Sequence, residues 1–306
     1  MKELLSTSNF LTQLRQSAKN TGSIICMGHD PVLEALPKER EKQGIYGYVQ
    51  FMEVVLKALK KSKQNPGMFK PNLAWWLCYD KPFANDYTGS EALVCLIGIM
   101  RDLFKEVPIT LDNKTGDIGT SSAKWAQYGL KNWQADAVTV HTYMGSDSIG
   151  PFAEYCNAEK KKGAYLLVKT TNKGASDLQL KKMADGQFVY EQTAENVINW
   201  AVGKPGVGAV TAGNSPEDLM TLGKIFAGRN IPLLIPGVGP SQGGDAGQVA
   251  NILRESGYEL PLARINLSSA FFSWYKPGKE NPSTNECADI IVETMRSLNE
   301  KVGLIY

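Results

Sequence analysis

The chain has 306 residues, of which 43% are hydrophobic and 21% charged, a composition typical of a globular protein with one large α/β domain or two small ones. Its formal net charge of +2 is too small to indicate nucleic-acid binding. No hydrophobic run approaches the ~20 residues that cross a bilayer, and residues 1–20 lack the continuous hydrophobic core of a signal peptide. The five cysteines have no CxxC or metal-ligand spacing, so we expect reduced thiols in a cytoplasmic protein.

In chain order, short hydrophobic segments that predict strands alternate with longer amphipathic segments that predict helices. The strand candidates span 23–30, 67–75, 108–114, 137–145, 164–171, 207–214, 232–239 and 262–269. Hydrophobic positions at helical spacing precede the first strand, within residues 1–20. Helix candidates between strands include 46–63, 90–106 and 214–228, and the last begins with Asn-Ser before Pro216, as helices often do. Residues 172–190 are numerous enough for an elaborated loop.

This alternation predicts an α/β fold, a (β/α)8 TIM barrel formed by residues 1–306 as one domain with an additional N-terminal helix. A doubly wound open sheet is the alternative, because the same alternation produces it. The first strand is followed by Gly-His-Asp-Pro-Val rather than by GxGxxG, which favours the barrel. Polar and charged residues also end nearly every strand, and those ends converge on one mouth only in a barrel.

The most informative segment is Asp112-Asn113-Lys114, at the end of the third predicted strand. Side chains two apart on a strand point to the same side, so Asp112 and Lys114 should share one face. An exposed salt bridge is the ordinary explanation of such a pair. Here the pair ends a buried barrel strand, where unpaired charge is costly, and a functional role therefore gains weight. Lys70 ends the neighbouring strand and would place a second lysine beside the aspartate.

The chain resembles the orotidine 5′-phosphate decarboxylase family over about residues 23–270. The family's DxKxxDI signature is present as Asp112, Lys114, Asp117 and Ile118. Further matches follow the family's order on successive strand ends: GHDP (28–31), FKPN (69–72), YMG (143–145), KTTN (169–172), PGVG (236–239) and QGGD (242–245). The resemblance implies decarboxylation of orotidine 5′-monophosphate to UMP and carbon dioxide in pyrimidine biosynthesis, with neither metal nor cofactor.

The resemblance also implies roles for the charged residues. Lys114 would protonate C6 of the pyrimidine, and Asp112 would lie beside the substrate carboxylate. Lys70 would complete the charge array and reach the ribose. Asp117 and Ser121 would reach the active site of the second subunit of a homodimer.

Other positions would bind the substrate. Asp30 would bind the ribose hydroxyls, and Thr171 would contact the pyrimidine ring. Gln242, Gly243 and Gly244 belong to a loop that is expected to close over the substrate and contact its phosphate, partly through backbone amides.

The phosphate end departs from the family pattern. Ser269 occupies the position where the family usually has an arginine. Arg264 is expected at the opposite end of the barrel, so it is not a substitute, and Lys276 is the nearest candidate replacement. We therefore expect a working decarboxylase with an altered phosphate contact.

Two other functions remain open. One is a sugar-phosphate decarboxylase or aldolase-type enzyme on a related barrel, a group that generally needs a divalent metal. The other is a catalytically impaired homologue that binds a nucleotide or a partner protein without turnover. Lys70 and the KTTN segment favour the nucleotide substrate. His29 and His141, the two histidines, are interpreted as packing or hydrogen-bonding groups and not as metal ligands.

Overall fold

The computed structural model describes residues 9–304, and within this range it contains eight strands. They are β1 (Ile25–His29), β2 (Met68–Pro71), β3 (Thr110–Thr115), β4 (Ala137–Val140), β5 (Gly163–Leu167), β6 (Val207–Val210), β7 (Leu233–Ile235) and β8 (Ala263–Leu267). They pair in parallel in the order β2-β1-β8-β7-β6-β5-β4-β3. Parallel bridges from Phe69 to Ile109 and from Asn72 to Asp112 join the two ends of that order. The predicted barrel is therefore confirmed, and the open sheet is excluded.

Helices cover the outer face of the barrel, and the described residues form eleven of them. They are α1 (Phe10–Thr21), α2 (Lys38–Glu41), α3 (Gly44–Ser62), α4 (Ala74–Leu77), α5 (Thr88–Leu103), α6 (Gly119–Gln127), α7 (Ser146–Ala153), α8 (Val189–Trp200), α9 (Pro216–Phe226), α10 (Ala246–Glu255) and α11 (Thr284–Val302). None of the helices in residues 9–304 is both long and hydrophobic enough to cross a membrane.

The predicted elements are present with shifted ends. The helices expected at 46–63, 90–106 and 214–228 are α3, α5 and α9, and Pro216 opens α9 after Ser215. Most strands end earlier than predicted, because the polar residues after them leave the sheet to form loops at the mouth. The N-terminal helix is present as α1, although residues 1–8 of that prediction lie outside the described range.

Helix α3 shows why the sequence covers the barrel in this way. Its buried residues include Tyr48, Met52, Val55 and Leu59, which recur at spacings of three and four and therefore form one hydrophobic stripe. The strands beneath are buried on both faces and consist of short hydrophobic runs, as parallel strands covered by helices usually do.

Helix α1 packs across the end of the barrel where the strands begin. The ring of Phe10 meets Tyr165 of β5 edge to face, with centroids 5.9 Å apart. Arg264, at the start of β8, is fully buried, and its guanidinium donates to the carbonyl oxygens of Leu14 at 2.6 Å and Gly67 at 3.0 Å. This arginine lies at the end opposite the mouth, as expected, and ties α1 to the barrel.

Candidate active site

Three charged side chains meet at the carboxyl ends of β2 and β3. The Asp112 carboxylate accepts from Lys70 Nζ at 2.6 Å on one oxygen and from Lys114 Nζ at 2.6 Å on the other. Thr139 Oγ1 of β4 donates to Asp112 Oδ1 at 2.8 Å. We call Lys70, Asp112 and Lys114 the charge array. Their predicted proximity is confirmed in space, with the aspartate between the two lysines.

The backbone at Lys114 departs from regular strand geometry. Its φ of 43° is left-handed, which is unfavourable for a residue with a long side chain. The β3–β4 register shifts between Leu111 and Thr115, and the Lys114 amide donates to Thr139 Oγ1 at 2.9 Å. Such irregularities re-aim side chains near functional sites. Thr139 therefore fixes both the backbone of Lys114 and the carboxylate of Asp112.

Burial and mutual attraction determine the charge states in the array. Burial alone would raise the pKa of Asp112, but attraction to Lys70 and Lys114 and the hydrogen bonds from both outweigh it, so this pKa lies well below its usual range. Burial would likewise lower the pKa of Lys70, yet the nearby carboxylates of Asp112 and Asp30 raise it. The Lys70 side chain is 5% exposed and that of Lys114 is 50% exposed. Only Lys114 thus presents a large part of its side chain to solvent.

A cavity of about 610 Å³ opens beside the array, within the size range of small-molecule sites. Six predicted site residues line it: Asp30, Lys70, Asp112, Thr171, Gln242 and Ser269. They come from the mouths of different strands, and the fold brings them to one space. Asp30 Oδ1 and Asn266 Oδ1 are buried polar atoms without a hydrogen-bond partner, and both residues line this cavity. Unpaired buried acceptors are costly, so they indicate where a ligand would bind.

Other predicted residues lie elsewhere. Gly243 and Gly244 line a second hollow, between the β7–α10 loop and α11. Their amides donate within the loop, to Gly239 O at 3.0 Å and Gly237 O at 3.1 Å respectively. The predicted phosphate contact through these amides would therefore require the loop to rearrange. Asp117 and Ser121 follow β3 and do not line the cavity of this subunit, and neither does Lys114, which adjoins it through Asp112.

The chain was compared with known proteins. Residues 49–258 match the profile of the family described as "Orotidine 5'-phosphate decarboxylase / HUMPS family". The chain belongs to this family. It is 34% identical to the orotidine 5′-phosphate decarboxylase of Verminephrobacter eiseniae, over 78% of this chain and 81% of that one. It is 29% identical to the enzyme of that name from Bordetella avium, over 97% and 99%.

Solved structures agree with this assignment. Leishmania donovani UMP synthase is 26% identical with a TM-score of 0.72, and the match covers 95% of this chain but 56% of that one. The chain thus spans little more than half of that relative. A Streptomyces avermitilis protein described as a putative orotidine 5′-phosphate decarboxylase has a TM-score of 0.73 at 22% identity, which shows the shared fold. The expected family, the enzyme class and the barrel are confirmed.

Several polar residues around the charge array and the cavity were missed from the sequence. Thr139 and Asn266 are polar side chains within otherwise hydrophobic strands, and that contrast was the available signal. Lys169, in the KTTN segment, is buried with Nζ 3.4 Å from Asp218 Oδ2 of α9. It also donates to Thr170 O at 3.2 Å, and so supports the backbone beside Thr171.

Each histidine has one ring nitrogen within hydrogen-bond distance of a neighbouring group. His29 is fully buried, with Nδ1 3.5 Å from the Tyr48 hydroxyl, and burial followed by repulsion from Lys70 lowers its pKa to about 3. His141 Nε2 lies 3.3 Å from Gly116 O, on the segment that carries Asp117. Residues 9–304 contain no group of three or more His, Cys, Asp or Glu side chains placed to hold a metal ion.

Proposed function

We propose that this protein decarboxylates orotidine 5′-monophosphate to UMP and carbon dioxide, a step of pyrimidine biosynthesis. The observation that carries the proposal is the charge array, in which two ammonium groups lie 2.6 Å from the carboxylate of Asp112. Membership of the family and the cavity beside the array support it. The lysines themselves supply the positive charge that the reaction needs, so the proposal includes no metal and no cofactor.

Lys114 is proposed as the proton donor. Departure of carbon dioxide leaves negative charge on C6 of the pyrimidine, and a fixed ammonium group stabilises that charge as it forms. The same group then delivers its proton to C6, which is general acid catalysis. The Lys114 ammonium lies 2.6 Å from Asp112 Oδ1 and half of its side chain is exposed, so it is free to turn toward a substrate bound beside the array.

Asp112 and Lys70 are proposed to hold Lys114 in place. The ionised carboxylate of Asp112 raises the pKa of Lys70 and so keeps that ammonium group charged, and it would lie beside the substrate carboxylate. Lys70, paired on the other oxygen, balances the charge of Asp112 and would reach the ribose. Asp30 would accept hydrogen bonds from the ribose hydroxyls through its unpaired oxygen, and Thr171 would contact the pyrimidine.

We propose that the protein works as a homodimer. Ile118, Trp125 and Tyr143 are large hydrophobic residues with 57%, 39% and 83% exposure, and they lie on the segments that follow β3 and β4. Ile118 directly follows Asp117, and Trp125 lies on the same helix as Ser121. A second copy on this surface would cover the hydrophobic groups and bring Asp117 and Ser121 toward its cavity.

The test is the loss of orotidine 5′-monophosphate absorbance with purified protein in the presence of a chelator. We expect metal-independent turnover that is lost in Lys114→Ala and retained in Lys61→Ala, a substitution on the outer helix α3. No turnover of orotidine 5′-monophosphate, together with turnover of a sugar phosphate that requires an added divalent metal, would favour a sugar-phosphate type of enzyme. Saturable UMP binding by folded protein without turnover would identify an impaired homologue, which the serine at position 269 makes worth testing.

A further inference from the structure

Hydroxyl groups gather on the side of the cavity formed by β7 and β8. Ser241 in the β7–α10 loop and Ser268, Ser269, Ser273 and Tyr275 after β8 all line the cavity. We call these five residues the hydroxyl cluster. Ser241 Oγ and Ser269 Oγ are 2.7 Å apart, although the residues are separated by 28 positions. This hydrogen bond links the β7–α10 loop to the end of β8.

The cluster is made possible by a close approach of backbone and side chain. Ser268 Oγ lies where a Cβ atom at Gly28 would be, only 2.0 Å from that position. Any other residue at Gly28 would displace the serine. The glycine of the GHDP segment therefore keeps β1 close enough for the hydroxyls to enter the cavity.

The charged groups that line the cavity beside the cluster are already paired or of the wrong sign to bind an anion. The charged side chains that line the cavity, among the described residues, are Asp30, Lys70 and Asp112. The single cation of these three, Lys70, is paired with Asp112 at 2.6 Å. Arg264 lies at the other end of the barrel, where it donates to Leu14 O and Gly67 O.

Backbone amides of the loop are also engaged. Gln242 N and Gly243 N both donate to Gly239 O at 3.0 Å, and Gly244 N donates to Gly237 O at 3.1 Å. An anion at this side of the cavity would therefore meet side-chain hydroxyls before it could meet those amides.

We propose that the hydroxyl cluster is a charge-neutral subsite for the phosphoryl group of the nucleotide, which rests on the proposed function. On binding, Ser241 and Ser269 exchange their mutual hydrogen bond for donation to phosphoryl oxygens. Hydroxyl rotors adapt to the acceptor that is present, so both serines can donate at once. The ligand class is a nucleoside 5′-phosphomonoester, bound by neutral donors where an arginine would form a charged pair.

This subsite predicts a particular pattern of affinities. A hydrogen bond to a charged acceptor corresponds to about tenfold or more in affinity, and the two serines share one ligand, so their effects should not be additive. Neutral donors gain little from low ionic strength, whereas exposed charge pairs weaken as salt screens them. Affinity for the phosphorylated ligand should thus depend strongly on the serines and weakly on salt.

The experiment measures the Kd of UMP and of uridine by calorimetry, at 20 and 300 mM NaCl (about 20 Å and 6 Å of screening length respectively). The variants are Ser241→Ala, Ser269→Ala, the double variant and Lys276→Ala, with Ser62→Ala at the end of α3 as the matched control. We expect each single serine variant to raise the Kd of UMP about tenfold. The double variant should raise it by less than the product of the two single effects, and the Kd of uridine should not change in any of them. Ser62→Ala and Lys276→Ala should bind UMP like the native protein.

UMP binding that is insensitive to both serines would overturn the subsite, and a tenfold loss in Lys276→Ala would assign the contact to that lysine. Circular dichroism of each variant separates lost binding from lost folding. Because UMP binding requires no turnover, the proposed subsite and the proposed reaction can be contradicted independently. An active enzyme with serine-insensitive binding contradicts only the subsite, and an inactive protein with serine-dependent UMP binding contradicts only the reaction.

Discussion

Each end of the barrel contains a buried basic side chain, and the groups that accept hydrogen bonds from it differ between the two ends. At the end where the strands begin, the Arg264 guanidinium donates to backbone carbonyls from α1, β8 and the residues before β2 and β8. At the mouth, Lys70 forms an ion pair with the carboxylate of Asp112. The same carboxylate also pairs with Lys114, whose side chain is half exposed.

The difference separates a structural cation from one that is proposed to take part in the reaction. Carbonyl oxygens satisfy the hydrogen bonds of Arg264 and connect segments that are far apart in sequence. A carboxylate shared by two lysines instead leaves half of the Lys114 side chain exposed to solvent. Burial of a basic residue is therefore no guide to function unless the partner group and the remaining exposure are both considered.

The largest effect should follow from Lys114→Ala, which removes the proposed proton donor. We expect kcat to fall at least about 10³-fold, because both electrostatic stabilisation and general acid catalysis are lost. The free energy of unfolding should change by less than about 1 kcal/mol, since half of this side chain is exposed. Steady-state kinetics and urea unfolding measure the two quantities. A large loss of stability would show that the array is chiefly structural.

Arg264→Met should give the reverse result. Several buried carbonyls would lose their donor, so we expect the free energy of unfolding to fall by about 3 kcal/mol or more. Protein that remains folded should keep its kcat, because Arg264 lies at the end away from the mouth. Arg296→Met on the exposed surface of α11 is the matched control. A fall in kcat with unchanged stability would contradict the division between the two ends.

His29 is also a buried basic side chain, but it is kept neutral. Its pKa of about 3 lies below the ordinary 6.5, so only the unfolded chain takes up the proton between these values. Stability is therefore lost as pH falls below about 6.5, at up to about 1.4 kcal/mol per pH unit. His29→Leu should remove this loss. The free energy of unfolding of the variant minus that of the native protein, measured by urea unfolding, should therefore increase by about 1.4 kcal/mol when the pH is lowered from 7.5 to 5.5. Parallel pH curves for the two proteins would contradict it.

The smallest effect is expected at an exposed pair near the same end as Arg264. Arg15 of α1 donates to both carboxylate oxygens of Glu259, at 2.5 and 2.7 Å, but both side chains are about two-fifths exposed. Arg15→Ala should lower the free energy of unfolding by less than about 1 kcal/mol, because solvent screens the pair. Thermal unfolding at low and high salt measures it. An effect as large as that of Arg264→Met would show that burial does not distinguish the two arginines.

The barrel could be predicted because each element has a local signal. The strands are hydrophobic runs bounded by polar residues, and α3 has a hydrophobic stripe, so neither depends on distant partners. The meeting of Lys70, Asp112 and Lys114 was also predictable, because the carboxyl ends of neighbouring barrel strands converge.

Contacts between distant loops could not be predicted in the same way. The hydrogen bond between Ser241 and Ser269 depends on how two irregular segments pack, and no periodicity encodes that geometry. The left-handed backbone of Lys114 is likewise imposed by Thr139 of the next strand. The roles of Asp117 and Ser121 depend on a second subunit and stay predictions.

The bond from Arg264 to Leu14 also has a consequence for biosynthesis, because it joins residues 250 positions apart. A ribosome adds about 5–20 residues per second, so the first helix emerges roughly 12–50 seconds before the strand that holds it. Throughout that interval its hydrophobic stripe has no arginine to anchor it. Nascent chains of this protein should therefore engage chaperones through the α1 region until β8 has left the exit tunnel.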